Sequence, residues 1–127
     1  MSGYLIDTNV FSEVFKANAA VVQFLKGLDG ELLIDTTVFI ECIQGSKSNS
    51  EKATIKRFLS TFPLLPYNSD ISRIAIDLVD RYSNSHGLLL ADALIAASAL
   101  SGAFTLVTYN IADFEFIDEL NCLRPVR

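Results

Sequence analysis

With 127 residues, 50% hydrophobic and 20% charged, the chain can bury a substantial core as one domain spanning 1–127, which excludes a disordered protein. No apolar run approaches the roughly 18 residues of a membrane span, and the N-terminus lacks the basic-then-apolar layout of a signal peptide, so a cytoplasmic location with no membrane contact is expected. A net charge of −5 argues against a polyanion partner only until its distribution is considered: if four of the fifteen acids belong to a metal site, eleven acids face ten bases and the remaining surface is nearly balanced.

Tyr4 to Ile6 form a short buried strand that runs directly into Asp7, a charge costly to bury without a partner. Val10 to Lys16 and Ala19 to Leu28 are short helices, and "LLI" at 32–34 is a second buried strand. Thr37 to Gln44 is a helix that stops at Gly45, and the polar loop "GSKSNS" leads to the next helix with Ser50 as its N-cap. That helix shows Ile55, Phe58, Leu59 and Phe62 at amphipathic spacing, while Lys52 and Lys56 share its other face. Together with Lys47 and Arg57 they form a basic cluster, read as a solvated face or as an RNA track. "PLLPY" at 63–67 can hold only a short strand, because its prolines cannot donate to a ladder. Ile71, Ile74, Ala75, Leu78, Val79 and Tyr82 mark a second amphipathic helix behind Asp70 as cap, followed by a polar "SNSHG" loop in which His86 is expected to be solvated. Ala91 to Leu100 is apolar on nearly every side, which fits a central buried helix, and "FTLVT" at 104–108 is an interior strand. Cys42 and Cys122 fit neither a metal knuckle nor a disulfide framework; buried thiols and no zinc are expected.

This alternation predicts an α/β domain with a mainly parallel sheet, whose ligands sit outside the carboxyl ends of the strands. Asp7 follows the first strand and Glu41 lies in the helix after the second. Asp92 opens the apolar helix, and Asp113 comes shortly after the last strand. Right-handed crossovers bring all four to one sheet edge. Alone they would repel one another and destabilise the fold; a cation would neutralise them, and hard oxygen donors select Mg²⁺ or Mn²⁺. Such a cluster suits phosphodiester hydrolysis by metal-activated water. Each acid also has a simpler reading: a helix cap for Asp7, an exposed helix position for Glu41, a helix-dipole partner for Asp92 and a capped turn for Asp113.

"LIDTNVFSEVF" at 5–15, "FIECIQG" at 39–45, "ADALIAASA" at 91–99 and "LVTYNIADF" at 106–114 resemble, in order, the four motifs of the PIN domain, in its bacterial and archaeal VapC-type toxin branch. The resemblance implies a PIN-like three-layer fold, with a mainly parallel central sheet flanked by helices. It also implies a Mg²⁺- or Mn²⁺-dependent endoribonuclease with an RNA substrate, a homodimer, and inhibition by a cognate antitoxin. Carried over by residue, it makes Asp7, Glu41 and Asp92 the catalytic, metal-ligating acidic core and Asp113 the fourth acid. Asn110 would orient a metal-bound water, and Thr8, Asn9 and Thr108 would hold the carboxylate rotamers by hydrogen bonds. Tyr109 departs from the pattern, standing where relatives commonly carry a basic or polar residue; phosphate contact is not expected there, and base stacking is the alternative.

Other classes fit less well. A haloacid-dehalogenase-type phosphatase needs a second Asp where this chain has Asn9, and a receiver domain needs paired acids near the first strand and a lysine after a late one. An RNA-processing or DNA-acting PIN nuclease without an antitoxin, and a PIN-like interaction module without turnover, remain as alternatives.

Overall fold

Strand β1 (Gly3–Ile6) occupies the centre of a five-stranded sheet in the computed structural model, which describes residues 3–126. Its neighbours are β2 (Glu31–Asp35) on one side and β4 (Thr105–Val107) on the other. The two-residue strands β3 (Leu64–Leu65) and β5 (Cys122–Leu123) form the edges, giving the order β3-β2-β1-β4-β5. All four pairings are parallel. Leu5 lies opposite Leu33 and Leu106, so a row of leucines crosses the sheet, buried because helices cover both faces.

The helices are α1 (Thr8–Phe15), α2 (Ala19–Lys26), α3 (Thr36–Gln44), α4 (Asn49–Leu59), α5 (Ser69–His86) and α6 (Leu90–Ser101), with a single 3₁₀ turn at Ile111–Asp113. The apolar "ADALIAASAL" segment is the buried central helix its composition predicts: Ala93 and every residue from Ile95 to Ala99 are buried. Its small side chains let it pack closely on α5, α3 and β4. At its exit a Cβ on Gly102 would stand 2.3 Å from the Phe104 ring, so a larger residue there would have to displace that ring. Phe11, wholly buried, meets Phe62 and Phe58 edge-on at 5.3 and 6.3 Å and ties α1 to α4.

Several local expectations are corrected. Helix α1 starts at Thr8, two residues before Val10, with Asp7 as its cap. Ser48, not Ser50, caps α4 by accepting from the Glu51 N–H, and Asn68, not Asp70, caps α5 by accepting from the Ile71 N–H. In each case the cap is the extended residue three positions before the donor. Helix α5 runs on to His86 and ends at Gly87, whose φ of +67° favours glycine. His86 is therefore not a loop residue: its exposed ring stacks on Phe116 with centroids 4.3 Å apart. Cys42 is buried as expected, whereas Cys122 is only half-buried because it lies on edge strand β5.

Candidate active site

The parallel strands end together, so the residues that follow them collect along one edge. Asp7 follows β1, Asp35 ends β2, and Thr108 follows β4. Asp7 is only 5% exposed yet has a full set of donors. Its Oδ1 accepts the Thr8 N–H at 2.7 Å; its Oδ2 accepts the Thr108 hydroxyl at 2.7 Å and the Asn9 amide at 3.2 Å. Thr108, itself buried, also accepts the Asn110 N–H at 3.0 Å. The Thr8 hydroxyl donates to Glu41 Oε1 at 2.6 Å, so one residue links the carboxylates of α1's cap and of α3.

Electrostatics brings the other acids into the group. Burial pushes the Asp7 carboxyl up to about 6 against the lowering bonds from Thr108 and Thr8, and the charges of Asp92 and Glu41 raise it further. Asp92, half-buried in the first turn of α6, is raised by burial and then by Asp113 and Glu41. Asp7, Glu41, Asp92 and Asp113 thus act on one another as like charges, with Asp113 exposed at the outer margin. Among the described residues no lysine or arginine forms an ion pair with any of them. The donor set of hard carboxylate oxygens fits a divalent cation such as Mg²⁺ or Mn²⁺. It is not drawn into a cage: among the described residues no three Asp, Glu, His or Cys side chains stand close enough to hold a metal ion as they are.

Of the supporting residues, Thr8 is hydrogen-bonded to Glu41, and Asn9 and Thr108 to Asp7. Asn110 joins the group through its backbone N–H, and its residue is exposed. Lys52, Lys56 and Arg57 lie exposed along α4, and Lys47 precedes that helix. Lys47 and Lys16 flank an open cleft of about 540 Å³ that runs from Thr8 and Glu41 past Phe15 to Ile55. Lys52 is not part of that cleft's lining, so the basic cluster is divided between cleft and outer surface. Tyr109 is 5% exposed, with its hydroxyl donating to the Val126 carbonyl at 2.7 Å, so base stacking by its ring is ruled out. A phenol packs into this apolar edge and keeps a polar end for the backbone, which a basic side chain would not do.

One acid not singled out from the sequence belongs to this region. Asp35, fully buried, accepts the Val38 N–H at 2.8 Å and the hydroxyl of buried Ser98 at 3.0 Å, joining the start of α3 to α6. A signal for it was available: "LIDT" occurs at both 5–8 and 33–36. The cysteine beside Glu41 is no nucleophile, since burial, then Glu41 and Asp7, push the Cys42 thiol up to about 12.

Comparison with known proteins covers nearly the whole chain. The PIN domain family model matches residues 4–119. The chain is 31% identical over 119 residues to a Mycobacterium tuberculosis protein named Ribonuclease VapC10, covering 91% of this chain and 89% of that one. A toxin–antitoxin complex from Klebsiella pneumoniae contains a chain of similar structure, with TM-score 0.82, 27% identity and 98% of both chains covered. VapBC2 from Rickettsia felis, bound to a DNA fragment from its promoter, shares the fold with TM-score 0.83 at 24% identity over 96% of this chain and 98% of that one.

Proposed function

The chain belongs to the PIN domain family, and on that premise we propose that it is a divalent-metal-dependent endoribonuclease acting as the toxin of a toxin–antitoxin pair. The observation that carries this reading is Asp7: a buried carboxylate with its rotamer locked by Thr8, Asn9 and Thr108, facing the charges of Asp92 and Glu41, with no ion pair to either among the described residues. A carboxylate held in place against like charge is useful as a cation ligand and wasteful otherwise.

Asp7, Glu41 and Asp92 would hold the cation, Mg²⁺ or Mn²⁺, with Asp113 completing the set directly or through water. When bound, the ion supplies a Lewis acid for the phosphoryl oxygen and an acidified water for attack. The chain's own part is positional. Thr108 and Asn9 fix one oxygen of Asp7 and Thr8 fixes the other, so little rotamer freedom is lost on ligation. Thr8 holds Glu41 in line, and Asn110, exposed and tied to Thr108 by its backbone N–H, would orient a water. Among the described residues neither Cys42 nor His86 is set up for covalent catalysis: Cys42 keeps its proton and the His86 ring stacks on Phe116. Cleavage therefore proceeds without a covalent enzyme intermediate.

RNA is the substrate, reached in the cytoplasm; no helix among the described residues is long and apolar enough to cross a membrane. An antitoxin segment covers the cleft beside Glu41, where an apolar floor at Phe15 and Ile55 meets Lys16 and Lys47. The chain forms a homodimer, a reading supported by Ile76, Leu89 and Leu90, which are 71%, 73% and 72% exposed along α5 and the start of α6. Purified protein with Mn²⁺ or Mg²⁺ should cut RNA from a total cellular pool, and Asp92→Asn should stop both cleavage and growth arrest on expression. An Asp92→Asn protein as toxic as the wild type would remove the nuclease reading. Failure to co-purify with the product of the adjacent gene would leave a nuclease without an antitoxin.

A further inference from the structure

We propose that residues 123–126 form a latch that positions Asp7 through Tyr109 and Asn9, making Arg124 and Tyr109 positioning residues; this rests on the carboxylate cluster being the catalytic centre. The latch grips β4's exit at three points. The Thr108 N–H donates to the Leu123 carbonyl at 3.0 Å, the Arg124 guanidinium donates to the Tyr109 carbonyl at 2.7 Å, and the Tyr109 hydroxyl donates to the Val126 carbonyl at 2.7 Å. The Arg124 guanidinium also lies 5.7 Å from the centre of the Tyr109 ring. The peptide between Thr108 and Tyr109 is thus held on both sides.

That peptide's N–H decides how Asn9 faces. It donates to Asn9 Oδ1 at 3.1 Å, which turns Nδ2 toward Asp7 Oδ2 at 3.2 Å and Thr108 Oγ1 at 3.3 Å. A flipped amide would set donor against donor at Tyr109 and oxygen against oxygen at Asp7, so the backbone N–H selects one orientation. Strand β5 has only two residues, too few ladder bonds to fix this edge alone, and the side-chain bonds of Arg124 and Tyr109 supply the remainder. Tyr109, which departs from the basic or polar residue common at its position in the resembling family, is the residue that makes the latch possible: it is large enough to reach Val126 and apolar enough to be buried.

The test follows the Asn9 side-chain amide by NMR in metal-free protein, together with Mn²⁺ affinity by calorimetry and kcat and KM on a single-stranded RNA. Arg124→Ala and Tyr109→Phe should each shift or broaden the Asn9 amide signals. Arg124→Ala should also weaken Mn²⁺ binding by about tenfold, the lower end for residues that orient metal ligands, and lower kcat while leaving KM unchanged. Arg124→Lys, which can still donate to the Tyr109 carbonyl, should restore most of both. Variants that melt lower but keep wild-type Asn9 signals, Mn²⁺ affinity and kcat would overturn the latch. Should Arg124→Ala fail to fold, Tyr109→Phe alone carries the same comparison. A wild type that neither binds Mn²⁺ nor cuts RNA defeats the functional reading instead, and the Asn9 signals still decide the latch.

Discussion

Residues 5–8 and 33–36 spell the same tetrapeptide, "LIDT", at the ends of adjacent parallel strands, and the two copies serve different ends. Each aspartate caps the helix that follows, and each is buried, Asp7 at 5% and Asp35 at 0% exposure. Burial raises both carboxyls above their ordinary range. The difference lies in what the rest of the chain brings to them. Asp35 is met by the Ser98 hydroxyl and by N–H donors, with no carboxylate among the principal forces on it, and it fastens α3 to α6. Asp7 is met by Thr108 and Asn9, and also by the charges of Asp92 and Glu41. Local sequence therefore makes a buried, helix-capping carboxylate twice; long-range topology makes one of them a structural tie and sets the other against like charge, in the position proposed for a ligand. The tie also serves the site, since α3 carries Glu41 and α6 carries Asp92.

Isosteric substitution should separate the two most sharply. Asp7→Asn is expected to lower RNA cleavage at least about 10²-fold, the scale of losing a preorganised electrostatic contact, without lowering the metal-free melting temperature, because one repelling charge is removed. Asp35→Asn should keep cleavage within the same order of magnitude, measured on the same RNA under single-turnover conditions. Truncation should reverse the ranking on stability: Asp35→Ala strands the Val38 N–H and the Ser98 hydroxyl and is expected to cost about 2–3 kcal/mol in urea unfolding, more than Asp7→Ala.

A smaller effect distinguishes the pair by pH. Burial lifts the Asp35 carboxyl above its ordinary 3.8, so over that interval the folded chain binds more protons than the unfolded chain. The stability this contributes is complete below 3.8 and is lost as pH rises through the folded value. In an Asp7→Asn background with EDTA, melting temperature should fall as pH rises above the ordinary aspartate range, and adding Asp35→Asn should flatten part of that fall. An unchanged slope would show that Asp35 titrates alike in both states. The smallest expected effect is at the surface: Lys52→Ala with Lys56→Ala should weaken RNA binding a few-fold at low salt and not at high salt, because both lysines are exposed and screened.

Much of this was legible in the chain itself. Buried strands such as "LLI", the all-apolar α6 and the amphipathic α4 and α5 follow from periodicity and composition, and the placing of Asp7, Asp92 and Asp113 near strand ends and helix starts, with Glu41 inside the helix after β2, follows from the same pattern. The caps of α4 and α5 each lie two residues before the position composition favours, since Ser50 and Asp70 have the right chemistry but Ser48 and Asn68 have the extended backbone that capping needs. Strand β5 carries two residues and no periodic signal, and His86 owes its position to Phe116, thirty residues on in the chain and invisible to local pattern. Tyr109 could not be placed from sequence because its partners, Asn9 and Val126, come from opposite ends of the chain.

Whether Asp7 is a metal ligand is measured most directly by calorimetric titration of Mn²⁺ into the wild type, Asp7→Asn and Asp35→Asn. Saturable binding by the wild type and by Asp35→Asn, lost or weakened at least about tenfold in Asp7→Asn, is the expected result. Equal Mn²⁺ affinity in Asp7→Asn and the wild type, or no binding by a folded wild type, would contradict it.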